Sequence, residues 1–184
     1  MAFLAQLWLP IVLSAVLVFI LSALTHMIIP FRRTEWARIP EQDAFRSTLK
    51  DAAPGLYSFP SPIDVAERGK PEHLKDLAAG PSGFLTVLPR VPFNFGRNLG
   101  LSFAMNLFVS LLVAYVAAHA LPSTASYRAV FRLVGTVGFL AYAVGPVYDG
   151  IWFWKPWRSL AMIAAESLLY GLAMAGMFGW LWHR

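Results

Sequence analysis

No charged side chain occurs before Arg32. An apolar opening of that length has few fates. It exceeds the roughly 7–15-residue core of a secretion signal, has no positive residue ahead of it and offers no evident cleavage site. A spanning helix needs about 20 mostly apolar residues, so the segment from Phe3 to Ile29 is expected to be a retained span. Three further segments qualify: Leu99 to Leu121, Ala129 to Tyr148, and Arg158 to Leu181. The third carries Gly145-Pro146 near its end, which predicts a kink. The expected fold is an all-α membrane protein with four transmembrane helices. Residues 1–31 form the first span, 32–98 a cytoplasmic loop domain and 99–184 the remaining three spans.

Hydrophobic residues make up 58% of the chain, above the roughly 45–50% usual for soluble domains. The absence of cysteine removes disulfides, thiolate metal sites and cysteine nucleophiles. The net charge of +5 has a topological explanation that makes nucleic acid an unneeded partner. Ten of the 15 Lys and Arg lie between the first two spans, with Arg32, Arg33, Arg90 and Arg97 close to the span ends. Lys155 and Arg158 sit in the tight connection before the last span, and only Arg128, Arg132 and Arg184 fall on the other side. Positive residues stay in the cytoplasm. Both termini are therefore expected outside, with residues 32–98 inside. Tryptophans agree with this: Trp8, Trp180 and Trp182 fall at one interface, and Trp36, Trp152, Trp154 and Trp157 at the other.

The loop domain is polar without being of low complexity. Residues 39–55 read as a short helix with Pro40 in its first turn and Pro54-Gly55 at its end. Residues 70–80 read as a second helix, opened by Pro71 and closed by Gly80. Leu56–Phe59 and Phe84–Leu88 are extended runs that can pair as two strands. Such a pair needs support in water, from the membrane surface or another subunit.

The orientation gives each intramembrane polar residue a depth. His26, Asn106, Asp149 and Glu166 are expected in one layer of the inner leaflet, with Tyr170 one turn beyond Glu166. Glu166 interrupts an otherwise uncharged run about 12 Å into the last span. Intramembrane carboxylates are costly and usually functional. The bland reading is a structural hydrogen bond or ion pair. The sharper ones are a proton or cation site, or a metal site. Imidazole and carboxylates suit zinc, manganese or iron, which makes His26, Asp149 and Glu166 the metal candidates, although no HExxH pattern supports them. No cofactor is predicted. On the opposite side of the same helix, Gly171, Ala175 and Gly179 form a small-xxx-small series for close helix packing.

Four short stretches carry a resemblance: His26-Met-Ile-Ile-Pro30, Pro54-Gly-Leu-Tyr-Ser-Phe-Pro60, Gly80-Pro-Ser-Gly-Phe-Leu-Thr-Val-Leu-Pro89 and Ala175-Gly-Met-Phe-Gly-Trp-Leu-Trp182. In that order they resemble a family of uncharacterised bacterial multi-pass inner-membrane proteins. The resemblance implies a bacterial inner membrane and no activity.

Serine-nucleophile and phosphate-loop patterns are absent, so no catalytic residue is assigned and the sequence does not point to an enzyme. The leading expectation is an accessory or scaffold subunit that packs against other membrane helices, or against itself, through the two-faced last span. The alternative is a small oligomeric transporter or proton-coupled carrier using Glu166. The third is a membrane metal-binding protein or metalloenzyme using His26, Asp149 and Glu166.

Overall fold

The computed structural model describes residues 2–28, 35–62 and 64–182. The basic stop at Arg32 and Arg33, the end of the first span at Ile29-Pro30, and Arg184 lie outside the described residues. The chain divides into two units, Met1–Ala37 with Asn94–Arg184, and Arg38–Phe93.

The first unit is the expected four-span bundle: α1 (Ala2–Met27), α4 (Phe95–Ala120), α5 (Tyr127–Trp152) and α6 (Trp157–Leu181). All four are long and apolar enough to cross a membrane. Three starts differ from the sequence reading, and caps or a proline explain them. Helix α4 begins at Phe95 because the Asn94 side chain accepts the Arg97 N–H at 2.9 Å. Helix α5 begins at Tyr127 behind the cap Ser126, and α6 at Trp157 directly after Pro156. Helix α5 also runs through Gly145-Pro146 to Trp152. Its end is turned by Trp154, which holds the left-handed position (φ 55°) while Phe153 and Lys155 both donate to the Asp149 carbonyl.

The helices close a circuit. Helix α6 packs most extensively on α5 and also on α1, α1 packs on α4, and α4 meets α5 along the thinnest side. Phe3 meets Tyr115 and Phe19 meets Phe103, at centroid separations of 5.9 and 5.7 Å, so α1 and α4 run antiparallel. On α1 the buried side is Leu7, Ile11, Ser14, Ala15 and Val18, the i, i+4, i+7 rhythm of one helix face.

The α5–α6 contact is the closest. A Cβ added at Gly171 would lie 2.8 Å from the Gly135 carbonyl oxygen and 2.9 Å from the Phe139 nitrogen. At Gly135 it would meet the Ala175 Cβ at 3.3 Å, and at Gly179 the Tyr127 ring at 2.7 Å. The small-residue series of α6 is thus filled by α5 of the same chain. The other side of α6 faces α1. The sequence reading gave this helix two sides that want helix contact, to be covered by its three companions or by a second chain; here Glu166, Ser167, Tyr170, Gly171, Met174, Ala175 and Phe178 merge into one wide stripe buried within the one chain.

The second unit holds α2 (Gln42–Thr48), β1 (Gly55–Phe59), a 3-10 turn at Val65–Glu67, α3 (Pro71–Ala79) and β2 (Gly83–Val87). The two strands pair antiparallel, Gly55 opposite Val87 and Phe59 opposite Gly83. Helix α3 matches expectation, with Pro71 in its first turn and Gly80 as its cap. Helix α2 is much shorter than the 39–55 reading. Pro40 lies before it and Glu41, in the left-handed region at φ 49°, starts it without a side-chain cap. Small polar links organise the loops. The Arg90 guanidinium donates to the Lys50 carbonyl, and Tyr57 Oη donates to the Ala53 carbonyl at 2.7 Å. None of the described residues in this unit is buried.

Candidate functional site: a polar seam shared by four helices

Each spanning helix contributes to one line of polar contacts. On α4, Asn106 is buried, and its Oδ1 accepts the Tyr142 hydroxyl of α5 at 3.0 Å. The Tyr142 ring meets the Tyr170 ring of α6 edge to face, with centroids 5.4 Å apart. Tyr170 Oη lies 3.2 Å from Thr25 Oγ1 of α1. Thr25 Oγ1 donates to the Ser22 carbonyl at 3.1 Å, so its proton is spent there and Tyr170 is the donor between them. His26 Nδ1 also lies 2.9 Å from the Ser22 carbonyl. Only an N–H can meet a carbonyl, so the ring is protonated at Nδ1. The two tyrosines therefore donate in opposite directions, one to α4 and one to α1.

Helix α6 adds Glu166 to the same stripe, one turn before Tyr170 and 6% exposed. Its neighbour Ser167 donates to the carbonyl of Ile163 at 2.7 Å, spending its own proton within the helix. Ser14 and Ser110 behave differently. Both are fully buried, and neither hydroxyl has a hydrogen-bond partner.

Proline shapes the seam as well. Pro146 has no N–H to give the carbonyl four residues earlier, which is that of Tyr142. The position that crosses from α5 to α4 thus combines a donating hydroxyl with a backbone carbonyl freed from the helix ladder.

Of the five residues predicted to form the intramembrane polar cluster, Asn106 and Tyr170 belong to this line, and Glu166 lies on the same buried stripe. His26 is exposed and bonds back to its own helix, with Thr25 holding the buried position. Asp149 does not join them. It ends α5 about half exposed and faces Lys155 Nζ at 3.8 Å, an ion pair that the tight α5–α6 turn makes locally. Among the described residues no three His, Asp or Glu side chains come together, so the trio His26, Asp149 and Glu166 is not assembled. The sequence reading missed Tyr142 and Thr25. The available signals were a tyrosine inside an apolar span four residues before a proline, and a threonine beside the histidine that drew attention.

Chemically the seam is a set of hydroxyl, amide and carboxyl groups. It can hold helices in register, and with Glu166 it can bind a proton or a small cation. Comparison with protein-family models, with curated proteins and with solved structures found no match, so the functional reading rests on this geometry alone.

Proposed function

We propose that this chain is an accessory or scaffold subunit of a membrane assembly in the bacterial inner membrane. The observation that carries the reading is the unit Arg38–Phe93, which has two helices and a two-stranded sheet but no buried residue among those described. A two-stranded sheet alone is marginal in water, and a domain of this size normally needs a core. Leu56 is 85% exposed and Leu88 71%. A partner surface completes such a unit. Seven Lys and Arg balance seven Asp and Glu between residues 38 and 93. That balance favours a protein partner over an anionic lipid surface, which would select for excess positive charge.

A second feature supports the same reading. Gly96, Gly100 and Ala104 follow one another at spacing four along α4, and a Cβ added at Gly100 meets no atom within 4 Å. Close helix approach uses such series. The partner contact expected of the last span is thereby reassigned to α4. The orientation proposed is the one the cation distribution favours, with both termini outside and residues 32–98 in the cytoplasm. Purification in a mild detergent followed by native mass spectrometry tests the reading. A further chain, or a second copy, is expected to stay bound; a monomer throughout would overturn it.

A second reading is favoured by the buried Glu166 on the seam's stripe: a small oligomeric carrier coupled to protons. In reconstituted vesicles Glu166→Gln then abolishes transport with folding intact. A variant that loses only stability or assembly contradicts it.

A further inference from the structure

We propose that the turn between α5 and α6 anchors the protein in the bilayer surface and holds the headgroup of a net-anionic phospholipid, with Arg158 as the charge that selects it. The turn follows Trp152 and precedes Trp157, and it joins two helices that are each long and apolar enough to cross a membrane. It therefore lies at a bilayer surface. Trp152, Trp154 and Trp157 are 68%, 85% and 67% exposed there, and indole rings favour the headgroup level of a bilayer.

Trp154 is the informative residue. It takes the left-handed position that closes α5, at φ 55°, while the Lys155 N–H reaches back to the Asp149 carbonyl at 3.1 Å. Glycine ordinarily holds that position, because a Cβ is disfavoured at positive φ. Here the bulkiest side chain stands where the smallest is most stable. At 85% exposure the indole packs on little of its own chain, so contacts within the fold do not offset the backbone cost. Insertion among lipid headgroups does.

Charge sets the kind of lipid. Asp149 is the acid of this turn, and it already faces Lys155 Nζ at 3.8 Å. Arg158, next to Trp157, is exposed and has no acidic partner among the described residues. A guanidinium matches a phosphate with paired N–H donors. Every phospholipid offers a phosphate, but a choline headgroup adds a cation that Arg158 and Lys155 repel. A glycerol headgroup leaves the net charge negative. Lipid is favoured over a protein partner because the spans on both sides of the turn already set it against the bilayer.

The full-length protein in nanodiscs made from equal amounts of phosphatidylglycerol and phosphatidylcholine provides the test, with retained lipid read by native mass spectrometry. Phosphatidylglycerol is expected to be preferred by about fivefold, the worth of one cation at an anionic surface. Arg158→Gln is expected to erase that preference. Arg128→Gln, at the opposite end of α5, is expected to leave it. Trp154→Gly removes the indole and suits the left-handed position. It is expected to unfold no earlier than the wild type in detergent while retaining less lipid of both kinds. Equal retention of the two lipids by the wild type overturns the proposal. So does a preference that survives Arg158→Gln, or one that Arg128→Gln removes equally. A Trp154→Gly protein that unfolds earlier yet retains lipid unchanged would make the indole a structural cap, and the anchor would fall.

Discussion

Tyr142 and Tyr170 meet edge to face at an interplanar angle of 76°, and their hydroxyls leave in opposite directions, to Asn106 on α4 and to Thr25 on α1. The pair therefore ties the thinnest side of the bundle to its best-packed side. Edge-to-face rings add roughly 0.5–1.5 kcal/mol beyond burial, and hydrogen bonds between membrane helices average about 0.6 kcal/mol. Neither contact dominates stability alone. Their value is that they fix which helices are neighbours.

Tyr142→Phe keeps the ring contact and removes the bond to Asn106. A loss of about 0.5–1.5 kcal/mol is expected, measured by reversible unfolding in detergent. A double-mutant cycle with Asn106→Leu should return most of that loss as coupling. Additive single effects would mean that the two side chains do not bond.

Two glycines on α6 separate packing from propensity. Gly171→Ala forces a methyl against the Gly135 carbonyl and is expected to cost about 1–3 kcal/mol. An added Cβ at Gly176 meets nothing within 4 Å, so Gly176→Ala should be neutral or stabilising by up to roughly 1 kcal/mol. Thermal unfolding of the two variants side by side checks this. Equal effects would contradict the close α5–α6 approach.

Asp149 faces Lys155 in an open turn, and exposed ion pairs are worth about 0–1 kcal/mol. Asp149→Asn should leave stability within about 0.5 kcal/mol of wild type. A severe loss in the same unfolding assay would return Asp149 to the intramembrane layer.

The absence of native cysteine makes a single introduced thiol a clean topology probe. Ser58→Cys lies on the exposed strand β1. A membrane-impermeant maleimide should label it only after cells are opened. Labelling of intact spheroplasts would reverse the orientation and place residues 32–98 outside.

The four spans were legible because length and hydropathy alone decide whether a helix can cross lipid. The α3 boundaries and the strand pair were legible for a similar reason, since Pro71, Gly80 and the alternating runs act locally. Position around the bundle was not. Asp149 and His26 have the right depth for the polar layer, but depth says nothing of angle, and both point away from the buried line. Tyr142 was hidden by the opposite problem, an aromatic residue that blends into an apolar run until a partner across the helix interface gives its hydroxyl a role. The two sides of α6 were visible on the helical wheel. What a wheel does not contain is that α5 and α1 of the same chain would occupy both.

The central claim is that the unit Arg38–Phe93 is completed by a partner surface. Hydrogen–deuterium exchange of strands β1 and β2 tests it most directly, comparing the protein in native membrane vesicles with the single chain obtained by stripping its partners in a harsher detergent. Slowing of about a hundredfold or more in the native setting, with fast exchange in the monomer, is the predicted result. Equal protection in both would mean that the unit stands without a partner, and the proposal of an accessory subunit would fall.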